Sequence, residues 1–283
     1  MFKLVSWNIA HREEPWRALS QCDADVALLQ EAAAPPVGLF RSEQINPGSW
    51  HTAGAGLHRN WRTAIANLSE RAVLEWIDAC PCHEAHQGEL GVSRLGTLAA
   101  ARVLLPNQEP IIVVSVYGAW ERPLTATKSQ WIYADASVHR LLSDLAVFIG
   151  HQKRHRLIIA GDFNILHGYG EDGSSYWKER YDSVFTRLAA MGLTFAGPQS
   201  PNGRQADPWP NELPAGSLNV PTFYSNRQTP NSATRQLDFV FVSNSIAERV
   251  SVRALNSVEQ WGPSDHCQVE ITITTSERPE DNS

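Results

Sequence analysis

The sequence predicts a layered α/β sandwich, and three observations carry that prediction. Ten short segments rich in β-branched or aromatic residues are too much strand for a helix bundle. Two other stretches repeat apolar residues every three or four positions, as helices lying on a sheet require. Helices lying outside the strand pairs place the two kinds of element in separate layers.

In chain order, the strand candidates begin with Phe2 to Trp7 and Val26 to Gln30. A loop-rich stretch follows from Ala32 to Gly56, with Pro35, Pro36 and Pro47. Thr63 to Leu68, Ala72 to Ile77, Thr97 to Leu104 and Ile111 to Val116 are the next strands. Trp131, Ala134, Val138, Leu141, Leu142, Leu145 and Phe148 then mark a helix. Leu157 to Ala160 returns to strand, and Tyr176 to Met191 forms a second helix, capped by Ser174 or Ser175 with Gly192 past its end. A second proline- and glycine-rich stretch, Gly197 to Pro221, precedes the strands Pro221 to Tyr224, Leu237 to Val242 and Val269 to Thr274. Both loop-rich stretches separate strands that are needed together, so residues 1–283 are expected to form one domain with a frayed tail at 275–283.

Composition narrows the class. A chain of 283 residues, 42% hydrophobic and 19% charged, has enough apolar surface for a full core. Its apolar runs fall far short of the roughly 18 residues that span a bilayer, so no membrane partner is expected. The opening Met1-Phe2-Lys3-Leu4-Val5 has no basic flank or cleavage site, and four cysteines are too few for a disulfide framework; both point to the cytoplasm. Net charge is -6, so contact with nucleic acid must rest on a local basic patch.

Polar residues stand repeatedly at the strand ends. Asn8 follows the first strand, Glu31 the second, Tyr117 the run from Ile111, and Asp162 with Asn164 the run from Leu157. Asp238 interrupts a strand, and Asp265-His266 precedes the last one. Strands sharing a direction would gather these ends in one cleft holding four carboxylates. Two unit charges about 4 Å apart repel by roughly 4 kcal/mol at an effective dielectric of about 20, so a cation must join them. Oxygen donors without thiolate suit Mg²⁺ or Mn²⁺, and such a metal turns an acidic cleft into a phosphate site. Hydrolysis of a phosphate ester follows as the expected chemistry.

Six segments, in order, carry a family resemblance: Leu4-Val5-Ser6-Trp7-Asn8-Ile9, Leu28-Leu29-Gln30-Glu31, Val114-Ser115-Val116-Tyr117, Gly161-Asp162-Phe163-Asn164, Leu237-Asp238-Phe239-Val240 and Ser264-Asp265-His266. Together they resemble the successive motifs of the endonuclease/exonuclease/phosphatase superfamily. The resemblance implies a four-layer α/β/β/α sandwich like that of deoxyribonuclease I. It also implies that Glu31, helped by Asn8 and Asp265, holds the metal, and that Asp162 and Asn164 orient or deprotonate the attacking water. His266, oriented by Asp238, would contact the scissile phosphate or act as base, with Tyr117 beside the leaving group. A Tyr at position 117, where many branches have His, is similar to the exonuclease III and apurinic-site endonuclease branch, as is Thr222-Phe223-Tyr224. Gly118-Ala119-Trp120 and Ala10-His11 depart from that branch's turns.

Other features have rival readings. Tyr117 could be a half-buried strand aromatic. Cys80-Pro81-Cys82-His83, with His86, has soft ligands but not the spacing of paired zinc ligands, and is read as a loop. Arg59 and Trp61, Trp120 and Arg122, and the stretch from Lys128 to Trp131 join cations to aromatics as strand-binding grooves do, though core packing would serve as well. The leading expectation is a Mg²⁺-dependent nuclease acting on DNA or RNA. A phosphatase or phosphodiesterase for a small phosphorylated metabolite or lipid head group is the alternative, and a non-catalytic binding module of the same fold is the third.

Overall fold

The computed structural model describes residues 1–54, 57–87, 89–123, 131–150 and 154–275. The expected tail lies outside them from 276 onward, as do residues 128–130 of the basic-aromatic stretch. Two mixed sheets carry the fold. Their strands are β1 (Phe2–Asn8), β2 (Val26–Ala32), β3 (Arg62–Asn67), β4 (Val73–Ile77), β5 (Leu98–Leu104), β6 (Ile111–Tyr117), β7 (Leu157–Asp162), β8 (Leu193–Gly197), β9 (Asp238–Ser243), β10 (Val250–Leu255) and β11 (Gln268–Ile273). Helices α1 (Glu14–Leu19), α2 (Ala134–Leu145) and α3 (Ser175–Ala190) complete the frame.

One sheet has the order β10-β11-β1-β2-β3 and the other β8-β9-β7-β6-β5-β4. Alternation along each strand sorts side chains between layers. Leu4, Leu28, Ile65 and Ile271 meet Val113, Ile158 and Val240 between the sheets. The opposite face of the six-stranded sheet, with Val114, Ile159 and Phe241, packs on Val138, Leu141 and Leu142 of α2 and Val184 and Leu188 of α3. Val5, Trp7 and Leu29 on the far side of the other sheet are covered by Trp16 and Leu19 of α1. The layers therefore run α/β/β/α, each buried Leu, Ile or Val side chain contributing about 1.5–3 kcal/mol. Among the described residues, no helix is long and apolar enough to cross a membrane.

Both α2 and α3 occupy the expected stretches, the first continuing as a short 3₁₀ turn over Ala146–Phe148. Four elements of this frame depart from expectation. Pro221 to Tyr224 is not a strand but makes isolated bridges through Phe223 to Arg235 and His266. Strands β8 and β10, and the six-residue α1, were not expected.

Two glycines fix the turn below the site. A Cβ on Gly118 would lie 2.2 Å from the Phe163 carbonyl oxygen, and one on Gly161, where φ is +154°, would lie 2.0 Å from that of Val116. Both contacts are with backbone, which cannot yield as a side-chain tip can. Gly118→Ala is expected to cost about 1–3 kcal/mol of stability, typical of forced overpacking, read as a lower urea midpoint; an unchanged midpoint would refute the close approach.

Candidate active site

Strand direction brings the polar ends together. β1 runs parallel to β2, and β6 runs parallel to β7, so Asn8, Glu31, Tyr117 and Asp162 all sit at or next to C-terminal strand ends. β9 runs antiparallel to β7 with Asp238 opposite Asp162, and β11 runs antiparallel to β1, which returns Asp265 and His266 to the same edge. Asn8 joins the two sheets: its amide nitrogen donates to Glu31 Oε1 at 3.2 Å and to Asp162 Oδ2 at 3.0 Å. Its oxygen accepts from the Ala10 N–H at 3.0 Å, which fixes the amide's orientation. One buried amide thus holds two carboxylates apart.

The His266 side is almost fully buried. His266 Nδ1 lies 2.7 Å from Asp238 Oδ2, and its Nε2 lies 3.8 Å from Asp162 Oδ2, too far for a hydrogen bond. Burial alone would depress the imidazolium, but the charges of Asp238 and Asp162 and the Asp238 hydrogen bond outweigh it and raise its pKa to about 10. Burial likewise pushes the Asp162 carboxyl up, against the lowering effect of His266, with Asp238 and Glu31 adding to the rise. Asp162 is held by the Asn164 N–H at 2.9 Å and the Asn164 amide at 3.1 Å, and that amide also donates to the Gly118 carbonyl. Asn164 adopts φ +52° to do so, a conformation Asn tolerates better than most residues.

The surroundings of this pair are set by residues the motifs do not name. Thr222 Oγ1 accepts the N–H groups of Leu237 and Asp238, and the Thr222 carbonyl accepts that of Cys267. Ser264 donates to the Asn8 carbonyl at 2.7 Å, and Trp7 Nε1 donates to the His266 carbonyl at 2.9 Å. Those bonds pin the Ser264-Asp265-His266 turn against β1.

Glu31 occupies a different environment. Its φ of +47° is unusual for a Glu, and its side chain is only partly covered. Oε2 lies 2.7 Å from His11 Nε2, and the Tyr117 phenol feels the charge of the same carboxylate. Burial first, then the charges of Glu31 and Asp162, push the Tyr117 phenol well above its usual range. Asn8, Glu31, Tyr117, Asp162, Asp265 and His266 line one cavity of about 290 Å³.

Residues 5–266 match the model of the Endonuclease/Exonuclease/phosphatase family. The chain belongs to that family. It is accordingly a phosphoric ester hydrolase. Structural comparison agrees on the fold. The catalytic domain of Xenopus laevis APE2 superposes with a TM-score of 0.63 at 17% identity, covering 96% of this chain and 91% of that one. The AP endonuclease LMAP from Leishmania major gives 0.62 at 16% identity, covering 97% and 88%. A 3′ phosphatase, NExo from Neisseria, solved with product DNA hairpin, gives 0.57 at 17% identity, covering 97% and 100%. A search of curated proteins by sequence found no match.

Against the family pattern, the structure brings all eight matched residues to one edge: Asn8, Glu31, Tyr117, Asp162, Asn164, Asp238, Asp265 and His266. Asp162, Asp238 and His266 also form the described group compact enough for a metal, with ligand atoms within 4.8 Å, although the hydrogen bond between Asp238 and His266 already uses one atom of each. Trp61 stands edge-on to Tyr117 at 5.0 Å with Arg59 stacked over it at 4.7 Å, so it buttresses the tyrosine. Trp120 is 51% exposed at the cavity mouth, and Arg122 lines a neighbouring cavity. The cysteine-histidine stretch belongs to a small parallel pair, Ala79–Pro81 with Leu90–Val92, and both thiols are free. Sequence reasoning missed Arg235, which is held by Glu171 at 2.8 Å and faces the catalytic cavity with Tyr181. Only its charge beside Gln236-Leu237-Asp238 could have pointed to it.

Proposed function

We propose that this protein is a divalent-metal-dependent nuclease that hydrolyses DNA or RNA phosphodiester bonds by attack of water. One observation carries the reading: the buried Asp238–His266 pair and Asp162 face Glu31 and Asp265 across a single small cavity. His266, kept in one tautomer by Asp238, presents Nε2 toward the Asp162 oxygen with a gap between them. A phosphate oxygen or a water bridging the two atoms from the cavity side would meet a proton-bearing imidazole and a carboxylate together. Asn164 holds the second Asp162 oxygen through its backbone N–H, fixing the direction in which the carboxylate accepts a proton. Tyr117, its phenol kept neutral, would donate to the departing oxygen.

The residues fit a hard divalent cation. Glu31 and Asp265 bring carboxylate oxygens to the cavity without a thiolate, beside the buried Asp162. Mg²⁺ or Mn²⁺ held by Glu31 and Asp265 would supply charge neutralisation at the phosphate. Asn8 would serve as the donor that spaces Glu31 from Asp162.

A nucleic-acid substrate is supported by the half-exposed Trp120, positioned for stacking on a base, and by the cations Arg235 and Arg59 near the mouth. DNA-directed proteins also stand among the structural neighbours. The four free thiols support a reducing cytoplasm as its location. Net charge of -6 and the small catalytic cavity favour one other reading, a phosphorylated small molecule. Labelled single- and double-stranded DNA and RNA, incubated with protein and Mg²⁺ or Mn²⁺, are expected to be cut, and left intact by Asp162→Asn. Intact polymers alongside phosphate release from a metabolite panel would replace the nuclease with the second reading.

A further inference from the structure

A second cavity, of about 840 Å³, adjoins the catalytic one, and Tyr117 and Trp120 line both. Its walls carry four arginines: Arg59, Arg94, Arg122 and Arg140. Arg140 is ion-paired with Glu121. Among the described residues, no carboxylate lies within ion-pair distance of Arg59, Arg94 or Arg122. Burial depresses the guanidinium pKa of both Arg59 and Arg94, and the charge of Arg94 adds to the effect on Arg59. Arg140 apart, positive charge is therefore concentrated here without an ion-paired carboxylate, in a chain whose net charge is negative.

The cavity is not purely polar. Val92 and Pro81 form part of one wall, Leu95 is 38% exposed, and the Trp120 ring is half exposed at the border with the catalytic residues. A planar base against these apolar surfaces and a phosphate on the guanidiniums would satisfy both halves. The number of cations narrows the phosphate. A diester within a strand carries one negative charge, whereas a terminal monoester carries about 1.5 to 2 with three strong acceptors. Three unneutralised guanidiniums match the terminal group better, and their planar forks suit its oxygens.

We propose that the arginine cavity binds the phosphorylated terminal nucleotide of a nucleic-acid strand, so that the enzyme engages a strand end while an adjacent phosphodiester lies at His266. It rests on the nuclease reading for the identity of the strand, but not on any cleavage. Binding is measured with His266→Asn protein in EDTA, so that turnover does not enter. The probes are short fluorescent DNA strands bearing a 5′ phosphate, a 3′ phosphate or neither. One phosphorylated strand is expected to bind about tenfold more tightly than the unphosphorylated one, a difference of 1.4 kcal/mol. Arg94→Gln should erase that preference, and Arg94→Lys should restore part of it, which a misfolded variant would not do. Equal affinity for all three strands, or a preference that survives Arg94→Gln combined with Arg59→Gln, overturns the proposal. So does binding of adenosine monophosphate with every strand excluded, which would assign the cavity to a small molecule. A phosphate-end preference in a protein that cuts no polymer would leave this cavity's role standing and remove the nuclease reading alone.

Discussion

His266→Asn is expected to slow hydrolysis by about 10³- to 10⁴-fold with the fold intact. A positioned acid–base group contributes typically 10²–10⁴, and here the imidazole is the group that joins two carboxylates: Nδ1 to Asp238 at 2.7 Å and Nε2 facing Asp162 at 3.8 Å. Asn can occupy the space but carries no transferable proton. Asp238→Asn should cost nearly as much, by a separate route. Its Oδ2 holds the ring, and its charge is the larger of the two carboxylate effects that keep the imidazole protonated. A His whose orienting carboxylate becomes an amide loses about 10⁴ in a comparable triad. Because the two residues act through one proton, the double variant should be no slower than His266→Asn. Single-turnover rates on a labelled strand read this directly: Asp238→Asn should lower the rate at saturation and leave KM nearly unchanged. Multiplicative effects in the double variant would separate the residues and refute the shared role.

How much of this could be read beforehand differs between fold and site. Strands with runs of β-branched residues, such as Ile111 to Val116, declared themselves because they are buried on both faces. β8 did not, since Leu193-Thr194-Phe195-Ala196-Gly197 is short, ends in glycine and carries an irregular register against β9. β10 was legible and overlooked: Val252 and Ala254 point inward while Ser251 and Arg253 face solvent. α1 is too short for a helical period to emerge, and only Pro15 in its first turn marks it. Pro221 to Tyr224 misled because its composition is that of a strand. Its polar groups are instead used to tie β9 to the turn before β11.

The gathering of polar strand ends at one edge was legible for a physical reason. A carboxylate or amide at the end of an apolar strand has no packing role, so its presence signals a shared cleft even when the pairing of strands is unknown. What sequence could not supply is the supporting layer. Ser264, Trp7 and Thr222 act through single hydrogen bonds to backbone, and such residues look like any other Ser, Trp or Thr in a sequence. Trp61 shows how two readings of one residue can part. Beside Arg59 it resembled an open stacking platform, yet its edge contact with Tyr117 and its 5.1 Å approach to His11 place it behind the tyrosine and the Glu31 corner.

That corner yields the second large effect. Glu31 holds a left-handed conformation at φ +47°, which costs about 1–3 kcal/mol and persists only where the surroundings enforce it. Three groups converge on its carboxylate: the Asn8 amide, the His11 ring and the Tyr117 phenol. The Asn8 amide donates to it and the ring and the phenol can do so, an arrangement that suits a carboxylate better than an amide. Glu31→Gln keeps the shape, replaces one acceptor oxygen by a donor facing another donor, and removes the charge. Altering a group that only supports a metal ligand costs 10–100-fold in affinity; for Glu31 as the proposed ligand, a loss of at least about a hundredfold in Mn²⁺ affinity is expected by calorimetry, with hydrolysis reduced by about 10³-fold or more. Asp265→Asn should weaken binding less, because among the described residues that carboxylate meets only the Ser264 hydroxyl, at 3.3 Å, and is partly exposed, so water can replace it. Unchanged Mn²⁺ affinity in Glu31→Gln, in a protein that melts as the parent does, would place the cation elsewhere and leave the strain at residue 31 without a purpose.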